Sequence, residues 1–180
     1  MTYVEPLARE AITDPEMRDL IAQSEALGVP DNLFPRIAAR SPELAKPFMR
    51  ALLMSHAEGN VDHRLKEIIR ILLARFANDK YFAALRSRKA REMGLDEGRI
   101  EAGCSDYEDS DLFTKAEKCA LRYADQMYLD ATKVDAAFYA ELKTHFTEPQ
   151  IMELGAFIAF HYGMQMFMRS LGAARPTNPT

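Results

Sequence analysis

Hydrophobic residues recur with helical spacing along most of the chain, and no convincing alternating strand pattern interrupts them. The clearest case is the stretch 62–76, in which apolar side chains follow one another at i, i+3, i+4, i+7, i+8 and i+11. That spacing places them on one face of a helix. The pattern therefore predicts an all-α fold.

Helix-start signals divide the chain further. N-cap residues followed by proline stand at 14–15 and 41–42, and Ser/Thr-x-x-Glu/Gln capping boxes stand at 114–117 and 147–150. Together with the apolar spacing, they predict helices over about 14–27, 41–60, 62–76, 114–129, 134–145 and from 147 onward. A further helix is predicted from Asn78 or Asp79 to Gly94. A break is expected at 28–33, a solvated loop at 103–112 and a frayed tail at 174–180.

Length and composition indicate one globular domain covering residues 1–180. The chain has 180 residues, of which 48% are hydrophobic and 28% charged, and no repeat or linker divides it. The net charge of −4 argues against a nucleic-acid partner. The apolar stretch 151–171 contains too many polar residues for a membrane span. The first residues show no signal-peptide pattern, so a cytoplasmic location is expected.

The region 62–94 carries the most informative motif. Its first helix bears Glu67, and its second helix is predicted to end at Gly94. This arrangement resembles the carboxymuconolactone decarboxylase and alkylhydroperoxidase D-like superfamily, in which the second helix commonly opens Cys-x-x-Cys-x-x-x-His. Glu67 falls at the family's glutamate position. The two cysteine positions fall on Asp79 and Phe82, and the histidine position falls on Arg86.

Three further strings support the resemblance. Residues 32–34 followed by 41–44 are similar to the family's Asn-Leu-Phe and His-Pro-Glu-Leu segments, while 148–154 and 170–172 are similar to its last helix. The recognisable core is therefore about 30–173. The resemblance implies a single-domain helical bundle of the alkylhydroperoxidase D-like type, assembled as a homo-oligomer, a trimer or a hexamer.

Thiol chemistry is the least expected activity. Peroxidase catalysis of this kind needs a low-pKa thiolate with a resolving cysteine nearby. The two cysteines, Cys104 and Cys119, form no Cys-x-x-Cys pair and lie outside the motif. Two unpaired thiols are also consistent with a reducing compartment.

Polar residues near the motif are candidates for acid–base chemistry. Glu67 shares a helix face with Arg70 and Arg75, either as a solvated Glu67–Arg70 pair or as a partly buried carboxylate that exchanges a proton. Asp79 is either the N-cap of the second helix or a substrate ligand. Tyr81 is either a core residue or a phenol that binds a substrate oxygen. Arg86, a permanent cation, is suited to clamping an anion.

The last helix adds His161, Tyr162 and Gln165 to an otherwise apolar segment. His161 is either a satisfied core residue or a titrating group at a pocket. The other histidines match no zinc spacing, and no nucleotide-binding or nucleophile-elbow motif is present. We therefore expect neither a metal nor a cofactor.

Two hypotheses follow. The first is a cofactor-independent lyase that cleaves a carbon–carbon bond in a small, aromatic-derived acid or phenol, with release of carbon dioxide or a small aldehyde. The second is a catalytically degenerate binding or assembly protein of the same fold. Under the first, the predicted catalytic residues are Glu67, Tyr81, His161 and Tyr162, and the predicted substrate-binding residues are Arg70, Arg75, Asp79, Arg86 and Gln165.

Overall fold

A computed structural model describes residues 2–28 and 33–173, and within those ranges the chain is helical with no strand. Residues 29–32 of the break predicted at 28–33 lie outside the described residues, as does the tail predicted at 174–180. The principal helices are α1 (Pro15–Ala26), α2 (Leu33–Ala38), α3 (Pro42–Leu53), α4 (His63–Phe76), α5 (Lys80–Ala84), α6 (Arg88–Glu92), α7 (Glu97–Gly103), α8 (Lys115–Leu129), α9 (Ala136–His145) and α10 (Glu148–Ser170). A π-helical turn, Met54–Glu58, continues α3.

The predicted helix starts are confirmed, and most are made by the expected side chains. Asp14 and Asp62 accept hydrogen bonds from the first turns of α1 and α4. Thr114 and Thr147 form complete capping boxes at α8 and α10. Ser41 precedes α3 as expected, but its hydroxyl makes no capping bond. The polar stretch before α8 is a loop of turns, also as predicted.

The prediction of one continuous helix from residue 78 to Gly94 is wrong. This segment forms two short helices, α5 and α6, separated at Leu85, whose backbone is extended with ψ 147°. The break has a long-range cause. The Ser87 N–H donates to the Glu67 carboxylate, and Arg70 donates to the Phe82 and Leu85 carbonyls. Side chains of α4 thus take backbone groups that a continuous helix would have paired internally.

Helix α4 is central to the packing. Along most of its length it is buried on every side, by α5, α8 and α10 among others. One apolar cluster joins it to α8, α9 and the first half of α10. A second cluster joins α1, α2, α3 and the last part of α10. His161 lies on α10 between Ile158 of the first cluster and Met164 of the second.

Among residues 2–28 and 33–173, no helix has the length and apolar character needed to cross a membrane. Helix α10 is long enough, but its buried face carries His161 and Gln165.

Candidate active site

The Glu67–Arg70 pair forms the base of the candidate site. Both side chains lie on α4, and their exposed fractions are 1% and 2%. The guanidinium donates to both carboxylate oxygens, at 2.8 Å from Nε and 2.7 Å from Nη2. Such a two-bond geometry is the strongest that these groups make. The interpretation of a solvated pair is therefore wrong, because the pair is fully buried.

The same pair fixes the segment between α5 and α6. Arg70 donates to the Phe82 carbonyl at 2.8 Å and to the Leu85 carbonyl at 2.7 Å, while Glu67 accepts from the Ser87 N–H at 2.8 Å. Each nitrogen of the guanidinium and each oxygen of the carboxylate consequently has at least one hydrogen-bond partner. Because both groups are hydrogen-bonded, the two charges can remain buried.

His56 enters the site from the π-helical turn. The ring is fully buried, and its Nε2 lies 3.4 Å from Glu67 Oε2. That contact is an electrostatic one, because its geometry does not meet the requirements of a hydrogen bond. Single π-helical turns occur frequently at functional sites. Here the turn aims an imidazole at a buried carboxylate.

His63 connects this turn to Ser87. Its Nδ1 lies 2.7 Å from the His56 carbonyl oxygen, and its Nε2 lies 2.8 Å from the Ser87 hydroxyl. A carbonyl only accepts, so Nδ1 carries a proton. Burial lowers the pKa of His63 to about 4, so Nε2 is unprotonated near neutral pH and accepts from the hydroxyl. His63 is therefore a neutral imidazole that joins two backbone segments.

His161 of α10 completes the cluster. Its ring centroid lies 5.2 Å from that of His56 and 4.3 Å from that of Phe157. One helical turn further along, the Gln165 amide donates to the Arg70 carbonyl at 3.2 Å. Helix α10 thus contributes one imidazole and one amide to the same buried region.

The two imidazoles differ from their surroundings in hydrogen bonding. Among the described residues, neither nitrogen of His56 and neither nitrogen of His161 has a hydrogen-bond partner, although all four are buried. An unpaired buried polar group costs free energy, and native proteins retain few of them. These rings are the least satisfied polar groups in the cluster.

The charge states of the cluster differ: Glu67 is a permanent anion near neutral pH, whereas the histidines are neutral bases. Burial alone would raise the pKa of Glu67, but the Arg70 charge and its hydrogen bonds outweigh burial and hold that pKa well below its usual range. Burial lowers the pKa of His56 and of His161, and it lowers that of His63 to about 4. At neutral pH the cluster therefore holds one carboxylate, one guanidinium and three neutral imidazoles.

A second buried pair braces the same turn. Lys66 donates to the Ser55 carbonyl at 2.6 Å and to Glu153 of α10 at 2.6 Å. Glu153 also accepts from the N–H groups of Asn60 at 2.6 Å and Val61 at 3.1 Å. The π-helical turn that carries His56 is thereby tied to both α4 and α10.

Two of the predicted substrate-binding arginines make other contacts. Arg86 forms a three-bond ion pair with Glu97, with distances of 2.9 to 3.1 Å. Arg75 pairs with Glu101 near the protein surface. Of the arginines predicted to bind substrate, only Arg70 lies within the cluster.

The other predicted site residues are also separated from the cluster. Asp79 is the N-cap of α5 and accepts from the N–H groups of Tyr81 and Phe82, both at 3.0 Å. Tyr81 packs its ring against Phe82. Tyr162 is 41% exposed and contacts Tyr128. The structure therefore brings together Glu67, Arg70, His161 and Gln165, and it leaves Tyr81, Tyr162, Arg75, Asp79 and Arg86 outside.

Sequence reasoning did not assign His56, His63 and Ser87 to the site. His63 lies four residues before Glu67 on one helix, so its position on the same face was detectable from spacing. His56 was not detectable in this way, because the π-helical turn changes the residue spacing there. Ser87 comes close only because the predicted second helix is broken.

The cysteines are not activated. Burial raises the pKa of Cys104 and of Cys119 to about 11 in each case. Both thiols are free, and neither belongs to the histidine cluster. In the described part of the chain, no group of three or more histidine, cysteine, aspartate or glutamate side chains is placed to hold a metal ion.

Several solved proteins are similar to this chain in fold. No family model and no curated protein matches the sequence. Among solved structures, a variant of the debrominase Bmp8 in complex with 2,3,4-tribromopyrrole is similar with a TM-score of 0.78 and 20% identity, over 96% of this chain and 90% of that chain. An alkylhydroperoxidase AhpD core protein from Ralstonia eutropha, an uncharacterized peroxidase-related protein, gives 0.74 and 16%, over 97% and 93%.

A third similar structure is an uncharacterized peroxidase-related protein from Silicibacter sp., with a TM-score of 0.70 and 16% identity, over 94% of this chain and 90% of that chain. These likenesses extend over nearly the full length of each protein. At such low identity they concern the fold and not the activity. The chain therefore has the alkylhydroperoxidase D-like fold, as its sequence resemblance predicted.

Proposed function

We propose that the protein is a cytoplasmic, cofactor-independent enzyme that cleaves a carbon–carbon bond in a small, aromatic-derived acid or phenol, with His56 and His161 moving the proton. The observation that carries this proposal is the pair of buried imidazoles whose ring nitrogens have no hydrogen-bond partner among the described residues. Perturbed titratable groups that are gathered in this way are typical of catalytic sites. Two free cysteines support the reducing location.

Neutral imidazoles favour aldehyde release over decarboxylation. In aldehyde release, one ring takes the proton of a substrate hydroxyl, the carbon–carbon bond breaks, and its electron pair remains on the aromatic carbon. The imidazolium passes this proton to the second imidazole, which delivers it to that carbon, so no proton is gained or lost. Loss of carbon dioxide from a carboxylate instead needs a proton already held by the enzyme. Burial lowers the pKa of both histidines and disfavours that starting state.

Glu67 has a different role from the one that its sequence position suggested. Arg70 holds its pKa low, so the carboxyl group has no proton to donate near neutral pH. Its negative charge, 3.4 Å from His56 Nε2, instead stabilises the imidazolium formed during turnover. We therefore assign Glu67 to charge stabilisation. His56 is the first base, and His161 is the second proton carrier.

A small aromatic substrate is consistent with the fold. One structural neighbour is a debrominase in complex with a halogenated pyrrole, a small aromatic ring. In this chain the cluster is fully buried, so the substrate has to displace a covering segment. The π-helical turn Met54–Glu58 carries His56. We propose this turn as the covering segment, which would have to leave its contacts with Lys66 to open a route. Tyr81, Tyr162, Arg75, Asp79 and Arg86 contribute only if substrate binding draws them from their present contacts.

A second candidate function is a degenerate binding or assembly protein. The three family motif positions have structural roles here: Asp79 caps α5, Phe82 is a core residue, and Arg86 pairs with Glu97. Tyr162 and Met166 are also exposed on α10. Such a face supports self-association as a trimer or hexamer through this helix.

Thiol peroxidase activity is a third, weaker candidate. The raised pKa values of Cys104 and Cys119 disfavour the thiolate that this reaction needs. Replacing both by alanine tests it directly. Peroxide reduction that is present in the wild type and lost in the double variant would establish this third activity in place of the lyase.

The lyase proposal is tested by incubating the purified protein with aromatic acids and phenols that bear a hydroxyl one carbon from the ring, with assays for aldehyde and carbon dioxide. His56→Asn and His161→Asn should lower turnover by about 100- to 10,000-fold, the usual contribution of a general acid or base. His145→Asn, outside the cluster, is the matched control and should retain activity. Full turnover in both cluster variants, with helicity intact by circular dichroism, would refute the proposal.

A further inference from the structure

A cavity of about 440 Å³ lies between α2, α3 and α10. None of the residues of the histidine cluster lines it, so it is separate from the candidate active site. Its size falls within the range of about 300–1,000 Å³ that is common for small-molecule sites. The chemistry of its walls and rim determines what ligand it suits.

The walls are mostly apolar, and four phenylalanines are among the lining residues. Phe48 lies at the centre of a chain of rings, with centroids 5.5 Å from Phe34 and 5.2 Å from Phe160. Leu44 and Phe167 line the mouth and remain 74% and 53% exposed. Such surfaces offer water few hydrogen bonds, so they favour an apolar ligand body. A ligand would also cover the exposed side chains at the mouth.

The rim carries one suitable charge. Arg40 lines the cavity, and its Nε donates to the Glu5 carbonyl at 2.7 Å. No carboxylate in the described part of the chain forms an ion pair with it. Lys46 and Arg50, further along α3, are by contrast both paired with Glu16. Arg40 therefore keeps its charge available for an external anion.

Ser41 adds a second polar group beside Arg40. It is the N-cap residue of the twelve-residue helix α3, yet its hydroxyl makes no capping hydrogen bond. It lines the same cavity. A hydroxyl and a guanidinium at the start of a helix are suited to one carboxylate, because each donates to an acceptor-only group.

We propose that this cavity binds an amphipathic monocarboxylate of medium chain length. The apolar body lies among the phenylalanine rings, and the carboxylate contacts Arg40 and Ser41. This binding site goes beyond the proposed lyase activity and does not depend on it.

The chain-length and head-group test uses isothermal titration calorimetry with hexanoate, octanoate, decanoate and decan-1-ol. Each added methylene should tighten binding about fourfold while the cavity has room. Arg40→Gln should weaken decanoate binding by about tenfold or more and leave decan-1-ol unchanged, since only the carboxylate uses the charge. Arg18→Gln, an exposed arginine that does not line the cavity, is the matched charge control. Equal decanoate binding by the wild type and Arg40→Gln would overturn the head-group assignment.

A cavity-filling variant tests the location. A Cβ added at Gly163 meets nothing within 4 Å, and Gly163 lines the cavity. The Cβ of Gly163→Leu therefore meets open space, and we expect the rest of the side chain to fill part of the cavity. The substitution also replaces a poor helix former in α10. Decanoate binding should be lost while helicity is retained. Unchanged binding in this variant would overturn the location.

Self-association is the remaining alternative for this surface, and light scattering distinguishes it. If the wild type binds no carboxylate at millimolar concentration and Gly163→Leu dissociates an oligomer, the cavity is a contact between copies of the chain. That result would overturn the proposal.

Discussion

Two arginines donate to the same carbonyl, that of Leu85 at the end of α5, at 2.7 Å from Arg70 and 2.8 Å from Arg86. Each arginine also holds a glutamate, Glu67 in one case and Glu97 in the other. Their environments differ sharply. The Glu67–Arg70 pair is almost completely buried, whereas the Glu97 side chain is 57% exposed.

This difference decides what each pair can do. In the interior, the charges of Glu67 and Arg70 act on neighbouring groups without much screening. At His56 the Glu67 charge opposes burial, which is the main cause of the lowered pKa of this imidazole. At the surface, water and salt screen the Arg86–Glu97 pair, and such pairs contribute about 0–1 kcal/mol. Identical residue types therefore form an electrostatic site in one place and a surface contact in the other. Burial makes the difference.

The largest expected effect is acid sensitivity of the buried cluster. Its three imidazoles stay neutral in the folded state, with His63 at a pKa of about 4, while the unfolded chain protonates its histidines below about pH 6.5. Their contribution to the free energy of unfolding is fully present above pH 6.5, and it is lost as the pH falls towards 4. For each proton that the unfolded chain binds in excess, the free energy of unfolding falls by about 1.4 kcal/mol per pH unit. For three protons the fall is roughly 4 kcal/mol per pH unit.

Urea unfolding at pH 7.5, 6.0 and 5.0 measures this loss. A midpoint that stays constant from pH 7.5 to pH 5.0 would show that the imidazoles are not held neutral. His161→Leu provides the internal check. It removes one of the three histidines, so the dependence of the unfolding free energy on pH should fall by the amount due to one proton.

Removal of one member of the buried pair should have the next largest effect. Arg70→Met leaves the Glu67 carboxylate buried without its cation, which should cost about 3–5 kcal/mol. It also removes the donors to Phe82 and Leu85. Chemical denaturation at pH 7.5 gives the free energy of unfolding. A loss under about 1 kcal/mol would mean that Arg70 is not needed to keep the carboxylate buried.

His161→Leu should change stability and activity in opposite directions. Removing two unpaired buried nitrogens while keeping an apolar side chain should raise the free energy of unfolding by about 1 kcal/mol. Turnover should be lost, because the proton carrier is gone. His63→Leu is the matched control: it breaks two good hydrogen bonds and should destabilise the fold. Destabilisation of similar size by both changes would favour a structural role for His161.

Much of the fold could be predicted because its signals are local. The caps at Asp14, Asp62, Thr114 and Thr147 involve hydrogen bonds over two or three residues, so the sequence displays them directly. The Glu67–Arg70 contact is of the same kind, at i and i+3. Its burial, however, depends on packing by several distant helices, and spacing along one helix does not report it.

The parts of the site that sequence reasoning missed depend on long-range contacts. The break after α5 arises because side chains of α4, twelve to twenty residues earlier, bind the backbone of Phe82, Leu85 and Ser87. The position of His56 depends on a π-helical turn braced by Lys66 and Glu153. Neither feature leaves a periodic pattern in the sequence.

The smallest effect is expected at the surface pair. Arg86→Met should lower the free energy of unfolding by at most about 1 kcal/mol, because Glu97 remains hydrated when its partner is removed. A double-mutant cycle with Glu97→Gln should give a coupling energy below about 1 kcal/mol that decreases as salt is added. The equivalent cycle between Glu67→Gln and Arg70→Met should give a larger coupling that salt hardly changes, because water and ions do not reach that pair. If the Arg86 cycle gave the larger, salt-independent coupling, then burial would not be what distinguishes the two arginines.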